Sequence, residues 1–186
     1  REWANALRRR ISDFQEQMLE DLLLTGEFFW YHPARPGSKV KNITLQTRFM
    51  LLPRDFWFEV ATPDLWPYPA DLGADARRMY DYLERHGASF LADIHHSGKF
   101  FSEQTTRAVR ELIARGMVTS DQFFSLERLF QSRTRPGMAA LFPAGRFALV
   151  RVPDTVDETR RRRAIAEMLL RRQGVLYRYA ADLDFF

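Results

Sequence analysis

Between residues 75 and 120 the chain carries the order helix, short helix, helix, strand, and this order constrains the fold more than any other feature. Asp75 to His86 places Ala76, Met79, Tyr80 and Leu83 on one helical face and stops at Gly87. Phe90 to His96 reads as a second, shorter helix broken at Ser97-Gly98. Ser102 is expected to cap a third helix that runs to Arg115, with Val109, Leu112 and Ile113 inward and Gly116 as its stop. The stretch Met117 to Asp121 (M-V-T-S-D) then has the composition of a short strand. Three helices of these lengths followed by a strand are the order of a winged helix-turn-helix module, with a generic three-helix bundle as the alternative.

The flanks are less regular. Ser12 to Gly26 reads as a helix with Ser12 as N-cap, Gln15 at capping-box spacing and Phe14, Leu19, Met18, Leu22 and Leu23 as its apolar face. Glu27 to His32 is dense in strand formers. Val40 to Thr47 and Phe49 to Leu52 are expected to add a second and third strand of a small β element. Four prolines between Pro53 and Pro69, among Trp57, Trp66 and Tyr68, argue against a regular helix there and for an aromatic-rich connection. After a turn at Pro136-Gly137 come a strand from Phe147 to Val152 and a basic helix from Asp157 to Gln173. Its inner stripe is Ala164, Ile165, Met168 and Leu169, and Val175 to Tyr179 reads as a last strand. The fold class expected is therefore α+β. Residues 1–69 form a helix, a small β element and the Pro-rich connection, 70–135 the winged helix, and 136–186 a strand, the basic helix and a strand, possible parts of a second such domain or a β-rich one.

Composition narrows the function. A chain of 186 residues with 46% hydrophobic and 14% aromatic content can bury a core unaided. Its apolar runs stop far short of the roughly 20 residues that span a bilayer, and no secretory signal opens it, so no membrane partner and a cytoplasmic location (the bacterial nucleoid) are expected. Cysteine is absent, which removes disulfides, thiolate nucleophiles and Cys-ligated zinc. Residue 1 is Arg, from which a longer polypeptide is expected.

Catalytic constellations are hard to assemble. Gly98-Lys99 is followed by Phe100 and has no glycine five residues earlier, so it is not a P-loop. The glycine at 87 lacks the second glycine of a nucleophile elbow. His95 and His96 lie near Asp93, but neighbouring histidines on a helix point about 100° apart and share an ion poorly. Asp182 and Asp184 are paired acids that suit acid–base work or stand as solvated tail carboxylates.

The charge pattern points elsewhere. The net charge is +4, and only three of the 28 basic residues are Lys. Arginine's planar fork suits phosphate better than an ammonium does, although a GC-rich coding sequence produces the same bias. Arg160, Arg161, Arg162 and Arg163 are consecutive, with Arg171, Arg172 and Arg178 close behind: either a solvated helix face or a nucleic-acid patch. On the third helix the expected outward set is Glu103, Gln104, Arg107, Arg110, Glu111 and Arg115, in which two glutamates weaken the field seen by a polyanion. Exposed Trp57, Trp66 and Tyr68 would offer stacking surfaces for unpaired bases; as core residues they would not.

Four ordered stretches resemble one family. H-G-A-S-F-L-A-D-I (86–94) followed by V-R-E-L-I-A-R-G-M-V-T-S-D-Q-F (109–123) is similar to the winged-helix region of the large helicase-related family. L-L-L-T-G-E-F-F-W (22–30), G-R-F-A-L-V (145–150) and A-E-M-L-L-R-R-Q-G-V (166–175) resemble its segments in the same order. Phe147 stands where the family usually has Trp, and the family's "P-G-G-F" continuation after Val175 does not occur. The resemblance implies part of an ATP-dependent superfamily 2 helicase that moves 3′ to 5′ on single-stranded DNA and serves DNA repair. It implies ATP and magnesium for the motor domains, whose motifs this chain lacks, and no cofactor for this segment.

Two readings follow, with a third beside them. In the first, the chain is a non-catalytic accessory region partnered by single-stranded or branched DNA and by the motor domains of its own polypeptide. Lys99, Arg107, Arg110, Arg115, Arg160, Arg161, Arg162 and Arg163 then contact phosphate. In the second, some C-terminal regions of that family resemble DNA glycosylases, and Asp184 would activate water or stabilise an oxocarbenium-like state at a flipped damaged base. The third is a winged-helix scaffold that binds protein.

Overall fold

A computed structural model of the chain describes residues 2–34, 42–44, 47–63, 72–123, 126, 129 and 144–174. The architecture is α+β, with helices α1 (Glu2–Arg8), α2 (Glu16–Leu24), α3 (Arg54–Val60), α4 (Ala74–His86), α5 (Leu91–Ser97), α6 (Ser102–Ala114) and α7 (Glu158–Gln173). Among the described residues five short strands accompany them: β1 (Phe28–Tyr31), β2 (Met50–Pro53), β3 (Ser89–Phe90), β4 (Val118–Ser120) and β5 (Arg146–Leu149).

The central order is as the sequence predicts, with β3 added. Strand β5, remote in sequence, runs antiparallel between β3 and β4, pairing Ser89 with Phe147 and Val118 with Leu149. Helices α4 and α6 pack beneath it, and Met79, Leu83, Leu91, Ile94, Val109, Leu112, Ile113 and Phe147 are all buried. Burying aliphatic side chains of this size is worth about 1.5–3 kcal/mol each relative to exposure, so this is where the fold is held. Gly87 ends α4 at φ +74, as a helix stop requires.

The second sheet pairs β1 with β2, segments in which the sequence is rich in strand formers. Phe29 pairs with Leu52 and Trp30 with Leu51. Alternation sends Trp30 into the main core, while Phe29 and Tyr31 join Leu52, Trp57, Ala61 and Val150 in a smaller one. Thr119 Oγ1 donates to Trp30 O at 2.8 Å and fixes β1 against β4.

Several expectations are corrected. Proline does not keep residues 54–60 from being helical. Pro53 is the N-cap of α3, where its missing N–H costs nothing, and Pro63 lies beyond the end, leaving about two proline-free turns of helix between them. Ser12 is not a cap: the chain turns at Asp13, with φ +58, and α2 begins after an extended Gln15. The apolar face of α2 is rotated accordingly, with Glu20 and Leu23 buried and Met18 exposed. Phe101, not Ser102, is the N-cap of α6, and its backbone N–H donates to Gln104 Oε1 at 2.9 Å. Helix α1 has no counterpart in the sequence reading. The third strand anticipated at Phe49 to Leu52 is β2. Of Val40 to Thr47, the described residues Asn42–Thr44 and Thr47 are not in a strand, and the rest lie outside the described residues, as does Val175 to Tyr179.

Candidate nucleic-acid interface

Helix α6 carries little of the surface expected of it. Its last turn and a half is enclosed: Glu111 is buried and accepts from Gly73 N at 3.0 Å, and Arg115 is 8% exposed. Neither belongs to an outward face, so the outward set is corrected to the N-terminal part of the helix. Arg110 is half-buried, its guanidinium donates to Leu129 O, and burial pushes its pKa down. Arg107 is exposed but pairs with Asp75 Oδ2 at 2.7 Å on α4. The periodicity that identified the inward face was sound. It could not reveal that Gly73 and Leu129 cover the opposite one.

The basic helix is fully formed. Asp157 caps α7, accepting from Thr159 N at 2.9 Å and Arg160 N at 3.2 Å, and Gly174 ends it at φ +77. Leu169 is buried on the inner stripe, where Ala164, Ile165 and Met168 are half-buried. Six arginines stand against two glutamates within Glu158–Gln173. Each residue of the arginine run has a partner, however. Arg160 pairs with Glu59 at 2.8 Å, Arg162 with Glu158 at 2.9 Å and Arg163 with Glu167 at 2.8 Å. Arg161 is turned inward, donating to Val60 O at 2.9 Å and lying 3.4 Å from Glu158. The arginines hold both carboxyls below the usual range: Arg162 chiefly by hydrogen bonding to Glu158, and Arg163 likewise to Glu167. Exposed pairs of this kind are weak, so a phosphate can displace the carboxylate at little cost. The side chains of Arg160, Arg162 and Arg163 are 71%, 77% and 81% exposed.

Lys99 stands apart. It is exposed at φ +51 in the turn between α5 and α6, and it has no ion pair among the described residues. The turn that places it there was legible as Ser97-Gly98, the pairing pattern of the other cations was not.

Aromatic stacking surfaces are fewer than the sequence allows. Trp57 is 2% exposed and its Nε1 donates to Arg151 O at 2.7 Å, so it is a core residue. Phe147 is fully buried and offers no face to a base. Trp66 and Tyr68 lie outside the described residues, as do Asp182, Asp184 and Arg178. The rings of His95 and His96 meet edge to face, with centroids 5.3 Å and planes 84° apart, and His96 Nδ1 is bonded to Ala92 O. Among the described residues no cluster of three or more His, Asp or Glu is placed to hold a metal ion, and no helix is long and apolar enough to cross a membrane.

The chain matches no protein-family model and no curated protein sequence.

Proposed function

We propose that the chain is a non-catalytic DNA-binding accessory region of an ATP-dependent 3′–5′ DNA helicase of the large helicase-related type. In this reading it acts in DNA repair at the nucleoid, and its central unit is a winged helix-turn-helix. The order α4–β3–α5–α6–β4–β5, with β5 between β3 and β4, supports that unit. ATP and magnesium belong to the motor domains of the same polypeptide and are not bound by this segment.

The observation that carries the DNA reading is the surface of α7: six arginines against two glutamates, with the run at Arg160, Arg162 and Arg163 projecting into solvent. Such a stripe tracks a phosphate backbone without reading bases, which suits a module that leads single-stranded or branched DNA past a motor. The winged helix is then a platform more than a groove reader, because the second half of α6 is enclosed.

Fluorescence anisotropy of the chain with a labelled single strand, repeated across a salt series, tests this. Binding should weaken steeply with salt and fall about tenfold or more at low salt when Arg160, Arg162 and Arg163 become Ala. Absence of binding at low salt would overturn the proposal.

A further inference from the structure

One cleft, of about 470 Å³, lies between α3 and the start of α7, where Asp55, Glu59 and Asp157 outnumber Arg160. Its lining is net negative and offers a phosphate no further site, while Arg160 presents its guanidinium to solvent at the rim. A second, half-open cleft of about 310 Å³ lies between α4 and the turn that joins α5 to α6, and its chemistry is the opposite.

Arg78, Tyr82, Arg85 and His86 form one wall, at spacings that put all four on one face of α4, and Ser97, Gly98 and Phe100 form the other. Arg78 is fixed in place: its guanidinium lies 4.4 Å from the centroid of the Phe100 ring and donates to Gly98 O at 2.6 Å. Arg85 is held only at its Nε, which donates to Asp81 O at 3.0 Å, and its guanidinium has no ion pair among the described residues. Lys99 lies in sequence between Gly98 and Phe100 of the far wall, at the edge of the lining, and is likewise without an ion pair among the described residues. Asp81 is the one carboxylate in the lining. The rings of Tyr82 and His86 are stacked, with centroids 4.1 Å apart and planes 18° apart. His86 Nδ1 is bonded to Tyr82 O at 2.9 Å, which keeps its proton on that nitrogen and fixes the ring.

We infer that this cleft receives one nucleotide unit of a single strand, its phosphate on Arg85 and Lys99 and its base against the Tyr82–His86 stack. The volume is at the lower end of small-ligand sites, in keeping with a single nucleotide. Unpaired cations beside a fixed aromatic pair are the two components of sequence-tolerant single-strand binding. The inference rests on the single-strand reading above and adds to it a subsite away from α7.

The two components have different salt signatures. With a labelled oligothymidylate, Arg85→Gln and Lys99→Gln should each lower the slope of log affinity against log salt by about 0.7, since each removes one phosphate contact. His86→Ala should weaken binding about fivefold or more with the slope unchanged, because stacking releases no counterions. All three side chains are exposed, so the fold tolerates the changes. If the unaltered chain binds and these variants match it in affinity and slope, the cleft is not a subsite and the α7 reading stands alone. If the unaltered chain does not bind at low salt, both fail together.

Discussion

The carboxylate of Glu20 accepts the backbone N–H of Phe123 through both oxygens, at 3.0 and 2.9 Å, and so ties α2 to the chain just beyond β4. A glutamate that is 5% exposed on the inner face of a helix is unusual, and the contact explains it. Glu20→Ala strands a partly buried donor and should lower stability by about 1–3 kcal/mol, read as a fall in the urea midpoint at unchanged slope. Glu20→Gln keeps an acceptor and should lose less. Equal effects of the two would mean that the hydrogen bond is not what α2 contributes.

Gly116 and Gly174 both sit in the left-handed region, at φ +70 and +77, but in different surroundings. A Cβ on Gly116 would come within 2.6 Å of His32 O, a backbone atom, whereas nothing lies within 4 Å of one on Gly174. Gly174→Ala should therefore cost only the backbone conformation, about 1–2 kcal/mol. Gly116→Ala adds a clash between α6 and the end of β1 and should cost roughly 2–4 kcal/mol. Thermal melts of the two variants side by side check the difference.

These contacts mark where the sequence stopped being informative. The helices of the central unit were legible because Met79, Leu83, Val109, Leu112 and Ile113 repeat at helical spacing and their stops are glycines. Strands β1 and β2 were legible from composition. Nothing local announces that β5 enters between β3 and β4, that Glu111 caps the start of α4 through Gly73 N, or that Thr119 reaches Trp30. Those partners are dozens of residues apart. The arginines illustrate the same limit at the candidate site. Their run marks a basic helix, but that Arg161 turns in to Val60 O while Arg160 reaches Glu59 depends on where α3 packs.

Stability should fall at both ends of the pH scale, for separate reasons. Burial lowers the pKa of His32, partly opposed by its hydrogen bond to Arg48 O. The unfolded chain, with an ordinary histidine near 6.5, then binds the proton more readily, so stability declines as pH falls through 6.5 toward the lowered value. Burial raises Tyr31 from 10.0 to about 12, so the folded state keeps that proton longer and stability declines as pH rises from 10 toward 12. Urea titrations between pH 5 and 8, with and without His32→Gln, should find a slope that the substitution flattens. The stabilisation from Glu158 and Glu167, shifted below the carboxylate range, is present above pH 4.5 and is lost only as pH falls below it, so it does not overlap with the histidine range.

The last prediction runs against intuition about salt bridges. Glu158 accepts from Arg162 at 2.9 Å and Glu167 from Arg163 at 2.8 Å, so in the free protein these carboxylates occupy the guanidinium groups proposed to hold phosphate. Solvent screens exposed pairs of this kind, so removing them costs the fold little. Glu158→Gln additionally loses a favourable negative charge in the first turn of α7, so it costs the fold slightly more than Glu167→Gln. In the proposed binding mode each glutamate competes with phosphate for its arginine and repels the strand from beside it. The double variant Glu158→Gln, Glu167→Gln should therefore bind a single strand severalfold more tightly at low salt, and the gain should shrink as added salt screens the charges. Anisotropy at two ionic strengths reads both effects. An unchanged affinity at low salt would place the strand away from Arg162 and Arg163.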